Sequence, residues 1–261
     1  MTGLGIDLGS RQAKFAALDG DRVLWLKSFD TIPFYKQYGS LRDGKLVLDF
    51  AAMGVISPEE LAATPLVVTG YGRNTLDLAG GRVIPEIQAH VAGARFQTGL
   101  TTFTLLDMGG QDSKVARVED GILVDFVMND KCAASSGRYL ENMAKVLDLS
   151  IEELSRHHRD PVPLDATCGI FGESELIGRI IEGHPLERLC AGVNNTLIKR
   201  VAPMLRRFPT DLIVLTGGVA RSLAFQELLR EATDAEIRIP EHPQHNGAIG
   251  CARVAGTATG R

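Results

Sequence analysis

The chain has 261 residues, 44% of them hydrophobic and 23% charged, which is the composition of a globular protein with a sizeable core. Its formal net charge of −4 argues against nucleic acid as a partner. No apolar stretch reaches the roughly 20 residues that cross a bilayer, and the opening MTGLGIDLGS lacks the basic start of a signal peptide. These features predict a cytoplasmic protein with no membrane partner, in which the four cysteines are reduced.

The first part of the chain alternates strand and helix patterns. Residues 30–60 show no clear period, and we expect no helix there. Elsewhere the apolar patterns predict strands at 4–7, 13–18, 22–29 and 65–70, and a helix from Glu86 to Phe96.

The second part begins with three more strand patterns and is then mostly helical. The three predicted strands lie at 103–110, 113–121 and 122–128. Residues 212–220 read LIVLTGGVA, a pattern typical of a strand, a glycine turn and a helix.

The two parts follow one plan, in which an apolar strand ends in Asp and is followed by a glycine turn, a Lys and a second strand. The two copies read GIDLGSRQAKFAALDG and LLDMGGQDSKVARVEDG, and place Asp7 and Asp107 in equivalent positions. This repeat predicts an α/β protein with two related lobes facing each other across a cleft. The predicted lobes are residues 1–98, completed by a helix at 246–258, and residues 99–245.

Each of the two glycine turns has the composition of a phosphate-binding loop. Backbone N–H groups in such a turn form a concave nest for phosphate oxygens, and a carboxylate at the strand end can hold Mg²⁺ through its waters. One copy alone is equally well explained as an ordinary hairpin turn. Two copies favour a pair of loops that grip a triphosphate, although the Walker pattern is absent.

The TGGVARS segment at 216–222 supplies a third element of this kind. A buried strand runs into Gly217 and Gly218, which can approach a nucleotide closely at the start of a helix. Two phosphate loops followed by this loop resemble the superfamily of sugar kinases, actin and the heat-shock ATPases. The resemblance implies two ribonuclease-H-like lobes around ATP.

Two of the cysteines lie just before amphipathic helix patterns. Cys132 precedes SGRYLENMAKVLDL, and Cys168 precedes GIFGESELIGRIIEG, in which Leu176, Ile177, Ile180 and Ile181 share one side. A thiol near a helix N-terminus has a lowered pKa and suits a metal-bound thiolate. Two unrelated small core residues remain the alternative interpretation.

A [4Fe–4S] cluster takes four thiolates, and one chain offers two in this setting. A symmetric dimer would bring Cys132 and Cys168 of both subunits together. Cys190 and Cys251 are the alternative ligands, but their helical surroundings are typical of core positions.

The order of motifs identifies the chain as similar to the ATP-dependent activators of 2-hydroxyacyl-CoA dehydratases and the ATPase subunits of benzoyl-CoA reductase. The matching segments are GIDLGS, TGYGRN, DMGGQD, MNDKCAASSGRYLE, CGIFGESELI, TGGVA and QHNGAIG. The resemblance implies a homodimer that bridges one [4Fe–4S] cluster through Cys132 and Cys168, and that binds ATP or ADP with Mg²⁺. It further implies that an electron from ferredoxin or flavodoxin passes to an iron–sulfur dehydratase or reductase.

The resemblance also assigns roles to the loop residues. Asp7 and Asp107 would hold Mg²⁺ and order the attacking water, which Gln111 could orient, so that no covalent nucleophile is needed. The implied nucleotide-binding residues are Gly9, Ser10, Arg11, Gln12, Ala13, Lys14, Gly109, Gly110, Asp112, Gly217, Gly218 and Gln244.

Two positions depart from the family pattern, and two other functions compete with the one it implies. Arg11 stands where a Thr is usual, and Ser135 replaces a Gly in the cluster loop. The competing functions are a small-molecule (sugar) kinase of the same fold and a non-enzymatic ATP-binding module. The first would phosphorylate a substrate without iron, and the second would not depend on Cys132.

Overall fold

The computed structural model describes residues 2–42, 45–70, 81–129, 136–165 and 169–257. The chain divides into two compact units, one formed by Met1–Leu100 with Gln244–Arg261 and the other by Thr101–Pro243. The strands, in chain order, are β1 (Gly3–Leu8), β2 (Gln12–Asp19), β3 (Arg22–Asp30), β4 (Gly39–Arg42), β5 (Lys45–Leu48), β6 (Leu66–Gly70), β7 (Arg82–Val83), β8 (Phe103–Met108), β9 (Ser113–Glu119), β10 (Ile122–Asn129), β11 (Leu212–Gly217) and β12 (Glu236–Arg238). The helices are α1 (Thr31–Tyr38), α2 (Phe50–Met53), α3 (Pro58–Ala63), α4 (Glu86–Thr98), α5 (Gly137–Val146), α6 (Ile151–Leu154), α7 (Gly169–Ile181), α8 (Leu186–Leu205), α9 (Leu223–Ala232) and α10 (Asn246–Thr257).

Each unit contains a five-stranded sheet of the same topology. The order is β3-β2-β1-β6-β7 in the first unit and β10-β9-β8-β11-β12 in the second. In both, the central strand pairs antiparallel with the next strand of the chain and parallel with the strand on its other side. This is the ribonuclease-H-like arrangement, so the predicted α/β fold class is confirmed.

The two central strands are buried along their whole length, and their apolar sequences explain this. All six residues of β1 and all six of β8 are buried, as expected for strands covered on both faces. Each strand nevertheless carries one aspartate, and each aspartate is paired in register with a lysine of the neighbouring strand. The pairs are Asp7 with Lys14 and Asp107 with Lys114.

Helix α1 shows that the prediction of no helix between residues 30 and 60 is wrong; α2 and the first half of α3 also lie in that interval. Phe34 is almost fully buried, with its ring 5.7 Å from that of Phe15 and 5.5 Å from that of Phe29. The helix is therefore stabilised by aromatic packing against strands, which a helical period in the local sequence does not report. Pro33 lies in the first turn, where its missing N–H costs little.

Helices α4 and α10 pack closely in the first unit because glycines lie at their contact. A Cβ on Gly250 would overlap the carbonyl oxygen of Ala89, and a Cβ on Gly93 would lie against the backbone of Asn246. Helix packing thus explains why Gly250, the second glycine of the NGAIG motif, has no side chain.

We expect the Gly250→Ala substitution to lower the free energy of unfolding by about 2–3 kcal/mol, because the added methyl group forces two backbones apart. Chemical denaturation measures this loss. The control is Gly256→Ala in the same helix, where the new Cβ would lie 3.4 Å from its nearest neighbour, an ordinary contact. Equal losses for the two variants would contradict the packing explanation.

The second unit has its core on the helical side of its sheet. Helices α5, α8 and α9 cover strands β8 and β11 there with apolar side chains, and Cys190 belongs to this core. Within the described ranges, no helix combines the length and the apolar character that crossing a membrane requires.

Candidate functional site

The first glycine turn, residues 9–11, is a tight loop closed by its own backbone. The N–H of Gly9 donates to the carbonyl oxygen of Gln12 over 3.1 Å. A Cβ on Gly9 would lie 2.8 Å from that oxygen, so the turn requires glycine. Ser10 and Gln12 are partly exposed and Arg11 is exposed, whereas the Ala13 side chain is buried in the core. Any contact of Ala13 with a nucleotide must therefore come from its backbone.

The second glycine turn, residues 109–111, repeats this geometry. The N–H of Gly109 donates to the carbonyl oxygen of Asp112 over 3.0 Å. Gly110 and Gln111 are partly exposed. Asp112 is buried and pairs with Lys114, whose Nζ lies 2.7 Å from Oδ2. The two loops therefore have equivalent backbones but different side-chain pairing.

Asp7 in β1 and Asp107 in β8 also differ in the hydrogen bonds of their side chains. Asp107 Oδ1 accepts a 2.8 Å hydrogen bond from the Thr216 hydroxyl. The equivalent Thr69 hydroxyl donates instead to the carbonyl oxygen of Ile84 over 3.0 Å. As a result, Asp7 Oδ1 is buried and has no hydrogen-bond partner among the described residues.

A buried carboxylate oxygen without a partner is costly unless something else satisfies it. Mg²⁺ prefers such oxygens and keeps several of its waters. Asp7 Oδ2 lies 3.7 Å from Lys14 Nζ, which leaves Oδ1 as the oxygen available to a metal-bound water. The residues at the end of β1 therefore fit the Mg²⁺ that the sequence predicts.

The start of helix α5 is bonded directly to the second loop. The N–H groups of Gly137 and Arg138 donate to the carbonyl oxygens of Gly109 and Gly110 over 2.9 and 3.0 Å. The Ser136 hydroxyl also donates to the Gly110 carbonyl oxygen over 2.9 Å. The loop and the helix are thus held as one body within the second unit.

The third predicted loop follows strand β11. Gly217 has a φ of +87°, and a Cβ there would overlap the carbonyl oxygen of Met108 on the neighbouring strand. Its glycine is therefore explained by strand packing. A Cβ on Gly218 would meet nothing within 4 Å, so space adjoins that residue. A short 3-10 turn over Gly218–Arg221 precedes α9.

Gln244, the remaining predicted nucleotide contact, lies beside the first loop. Its Nε2 donates to Gln12 Oε1 over 2.7 Å. The structure thus brings together two predicted residues that are far apart in the sequence, just before α10 begins.

Cys132 and Cys168 lie outside the described residues. The other two cysteines are buried in separate cores, Cys190 in α8 and Cys251 in α10. Burial raises the pKa of the Cys190 thiol to about 11 and raises the pKa of Cys251 well above its usual value. Neither thiol is poised to ionise, which agrees with the core positions predicted for both.

The helices that follow Cys132 and Cys168 are described and contact each other. In α5 the residues Tyr139, Leu140 and Met143 are buried, as their spacing predicts. In α7 only Leu176 of the four predicted apolar residues is buried. The exposed fractions of the other three are 43% for Ile177, 41% for Ile180 and 81% for Ile181.

Sequence reasoning missed several residues that shape the first loop. Thr31 ties it to α1, because its hydroxyl donates to the Gly9 carbonyl oxygen and its N–H donates to the Arg11 carbonyl oxygen. His90 and Gly247 approach Asp7 from α4 and α10. The NGAIG glycines were a visible signal for Gly247, whereas Thr31 and His90 belong to no recognisable spacing.

Similar proteins match this chain along almost its whole length. The chain is 35% identical over 256 residues to the (R)-2-hydroxyglutaryl-CoA dehydratase activating ATPase of Acidaminococcus fermentans, covering 97% of this chain and 96% of the relative. It is 34% identical over 260 residues to the activator of lactoyl-CoA dehydratase from Anaerotignum propionicum, covering 97% and 96%. The solved activator of 2-hydroxyisocaproyl-CoA dehydratase from Clostridium difficile, with bound ADPNP, superposes with a TM-score of 0.83 at 30% identity, covering 98% of this chain and 94% of that one.

A family model also matches almost the whole chain, from residue 4 to residue 255. Its span includes both glycine turns, all but one residue of the two five-stranded sheets and nearly all of α10. The chain therefore belongs to the BadF/BadG/BcrA/BcrD ATPase family.

Proposed function

We propose that this ATPase is an activator that uses ATP binding and hydrolysis to deliver single low-potential electrons to a partner iron–sulfur enzyme. The proposal rests on the family and on relatives that activate 2-hydroxyacyl-CoA dehydratases. The observation that carries it is the set of hydrogen bonds between the second phosphate loop and the start of α5, the helix that follows Cys132.

The nucleotide is held in this proposal by backbone N–H groups of the two glycine turns. Asp7 Oδ1 binds a water of the Mg²⁺, because it is a buried strand-end carboxylate oxygen with no partner among the residues that the structure describes. Asp107 Oδ1 already accepts a hydrogen bond from the Thr216 hydroxyl, so Asp7 is the preferred contact for that water. Gln111, at the tip of that loop, orients the attacking water, so the chain supplies positioning and charge and no covalent nucleophile.

The hydrogen bonds at α5 give the ATPase a means of moving the residues around Cys132. Any shift of Gly109 and Gly110 on γ-phosphate binding pulls on the N–H groups of Gly137 and Arg138. Nucleotide shifts a conformational equilibrium only through its different affinities for the two states, and a nearly complete switch needs about 5.5 kcal/mol. Contacts to a triphosphate and its metal can supply a free-energy difference of this size.

Cys132 and Cys168 of two subunits would hold one [4Fe–4S] cluster, and such a cluster supplies one-electron redox chemistry. A homodimer is also favoured by helix α7, which starts just after Cys168. Phe171, Ile177 and Ile181 share one face with the small residues Ser174 and Gly178, and Phe171 is 71% exposed. An apolar face with small residues is suited to helix packing against a second copy.

The substitutions Ile177→Asp and Ile181→Asp are each expected to convert the dimer to a monomer, because each places a charge in this apolar face. Sedimentation velocity measures the change. The control is Leu223→Asp, since Leu223 is 60% exposed on another helix of the same unit. A dimer that survives both α7 substitutions would contradict the assignment of this face.

The partner is proposed to be a 2-hydroxyacyl-CoA dehydratase or a related iron–sulfur reductase. The compared relatives activate enzymes with different acyl groups, so the activator fold itself does not select the acyl-CoA substrate. Ferredoxin or flavodoxin is proposed as the electron donor. ATP-dependent reduction by this protein of a partner purified from the same cells would identify that partner.

The proposed function is tested on protein purified without oxygen. We expect a brown dimer with about four irons, from which a ferrous-iron chelator removes iron faster with ATP than with ADP. The chelation rate reports exposure of the iron and does not require the partner. A colourless protein, or equal chelation rates with the two nucleotides, would contradict the proposal.

Gly137→Val is expected to uncouple hydrolysis from iron exposure. A Cβ on Gly137 lies 3.2 Å from the Gly109 carbonyl oxygen, and the larger side chain would break both backbone bonds. Two bonds of about 1 kcal/mol each correspond to a roughly 30-fold loss in the ATP-induced shift, while ATP hydrolysis continues. The control is Met143→Ala, which loosens the same helix from its core and leaves those bonds in place. Equal uncoupling by the two variants would show that general loosening of α5 is sufficient.

A further inference from the structure

His90 is a buried histidine in helix α4 whose surroundings are charged and polar. It is 5% exposed, and its Nε2 lies 3.9 Å from Oε1 of Glu86, one helical turn earlier. Buried polar side chains are costly unless they are hydrogen-bonded. The location of this imidazole therefore calls for a physical reason.

The imidazole and the Asp7 carboxylate border one small space. A Cβ on Gly247 would lie 2.8 Å from Asp7 Oδ2 and 3.0 Å from His90 Nε2. Because both atoms lie that close to one point, they are at most 5.8 Å apart. Such a separation allows a direct hydrogen bond after a small shift or a bridge through one water. The absence of a side chain at Gly247 leaves this approach open.

A chain of hydrogen bonds determines which ring nitrogen of neutral His90 carries the proton. Gln97 Nε2 donates to Asn246 Oδ1 over 2.9 Å, which fixes the orientation of the Asn246 amide. Asn246 Nδ2 then donates to the His90 carbonyl oxygen over 2.8 Å and lies 3.5 Å from His90 Nδ1. A donor near Nδ1 makes Nδ1 the acceptor, so the neutral ring carries its proton on Nε2, towards Asp7 and Glu86.

The two oxygens of Asp7 thus have opposite surroundings. Oδ2 is approached by Lys14 Nζ at 3.7 Å, and His90 Nε2 lies at most 5.8 Å from it. Oδ1 is buried and has no hydrogen-bond partner in the described part of the chain. Donors on one oxygen of a carboxylate restrict its rotation and therefore also fix the position of the other oxygen.

We propose that His90 is a positioning residue for Asp7, holding Oδ2 so that Oδ1 stays directed at a water of the nucleotide-bound Mg²⁺. Gly247 provides the gap, and Asn246 with Gln97 orients the ring. This inference rests on the proposed function, because it takes Asp7 as the carboxylate that meets Mg²⁺. Partners of this kind behind a metal ligand typically affect metal affinity by about 10- to 100-fold.

The test measures ADP binding to the complete protein by calorimetry, once with Mg²⁺ and once with a chelator. His90→Leu is expected to reduce the gain in ADP affinity on adding Mg²⁺ by about 10-fold or more, and to leave metal-free ADP affinity unchanged. His90→Gln, whose amide can donate in place of Nε2–H, should retain most of the gain. Gly247→Ala should lose it, because its methyl group would separate the two side chains.

Thr69→Val is the matched control, since it removes a buried hydroxyl next to Asp7 in the sheet that bonds to Ile84 and not to the carboxylate. The His90 assignment is overturned if His90→Leu gains as much affinity from Mg²⁺ as the wild type, or if it weakens metal-free ADP binding equally. A wild-type protein whose ADP affinity ignores Mg²⁺ would instead overturn the proposed function, and the His90 assignment with it.

Discussion

Alanine at Cys132 or at Cys168 is expected to leave the anaerobically purified protein without iron, whereas alanine at Cys190 or Cys251 is expected to leave about four irons per dimer. Loss of one cysteine from the chain removes two of the four thiolates that a dimer-bridging cluster needs. Cys190 and Cys251 are buried in two different cores, and burial raises the pKa of both thiols. Iron and acid-labile sulfide assays, with the visible spectrum, measure the outcome.

The four variants act as controls for one another because each removes one thiol group and leaves the methyl side chain of alanine. Iron lost equally from all four would indicate that protein damage, and not ligand loss, removes it. Iron retained in both Cys132→Ala and Cys168→Ala would remove the basis for the electron-transfer proposal. ATP hydrolysis by the iron-free variants should persist, because the proposed phosphate and Mg²⁺ contacts come from the two glycine turns and Asp7 and not from the cysteines.

Asp7→Asn is expected to lower the ATP hydrolysis rate by about 100-fold or more. The amide is the same size but has no negative charge, so it holds a water of the Mg²⁺ more weakly and offsets less of the charge of the metal. A loss of about 3 kcal/mol of transition-state stabilisation corresponds to a rate change of this size. The steady-state rate at saturating ATP, measured over a range of Mg²⁺ concentrations, reports both the maximal rate and the metal requirement.

The control for Asp7→Asn is Asp21→Asn, a surface carboxylate paired with Arg253 at 2.8 Å in the same unit. It removes the same charge from the chain and should hydrolyse ATP at the wild-type rate. Circular dichroism of both variants checks the fold. A normal rate for Asp7→Asn would show that Asp7 Oδ1 does not contribute to metal binding.

The strands and glycine turns could be predicted because their signals are local. An apolar run that ends in Asp-x-Gly sets the strand, the turn and the return strand within about 15 residues, and both copies fold as the sequence predicts. The core positions of Cys190 and Cys251 also followed from helical spacing.

The residues around Asp7 could not be predicted, because they come from distant parts of the chain. His90 and Asn246 are hydrogen-bonded although 156 positions separate them. Helix α1 was missed for a related reason, since Phe34 finds its aromatic partners on strands β2 and β3. The different roles of Thr69 and Thr216 are equally invisible in the sequence, because a threonine stands at the equivalent point of both copies.

Helix α10 has a consequence for the order in which the protein is made. It follows the second unit in the chain, yet packs against β1, β2 and α4 of the first. A ribosome therefore completes Thr101–Pro243 as an unbroken segment while the first unit still lacks the helix that seals its sheet. The second unit is thus free to mature first, and the first becomes able to close around Asp7 only after α10 has been synthesised.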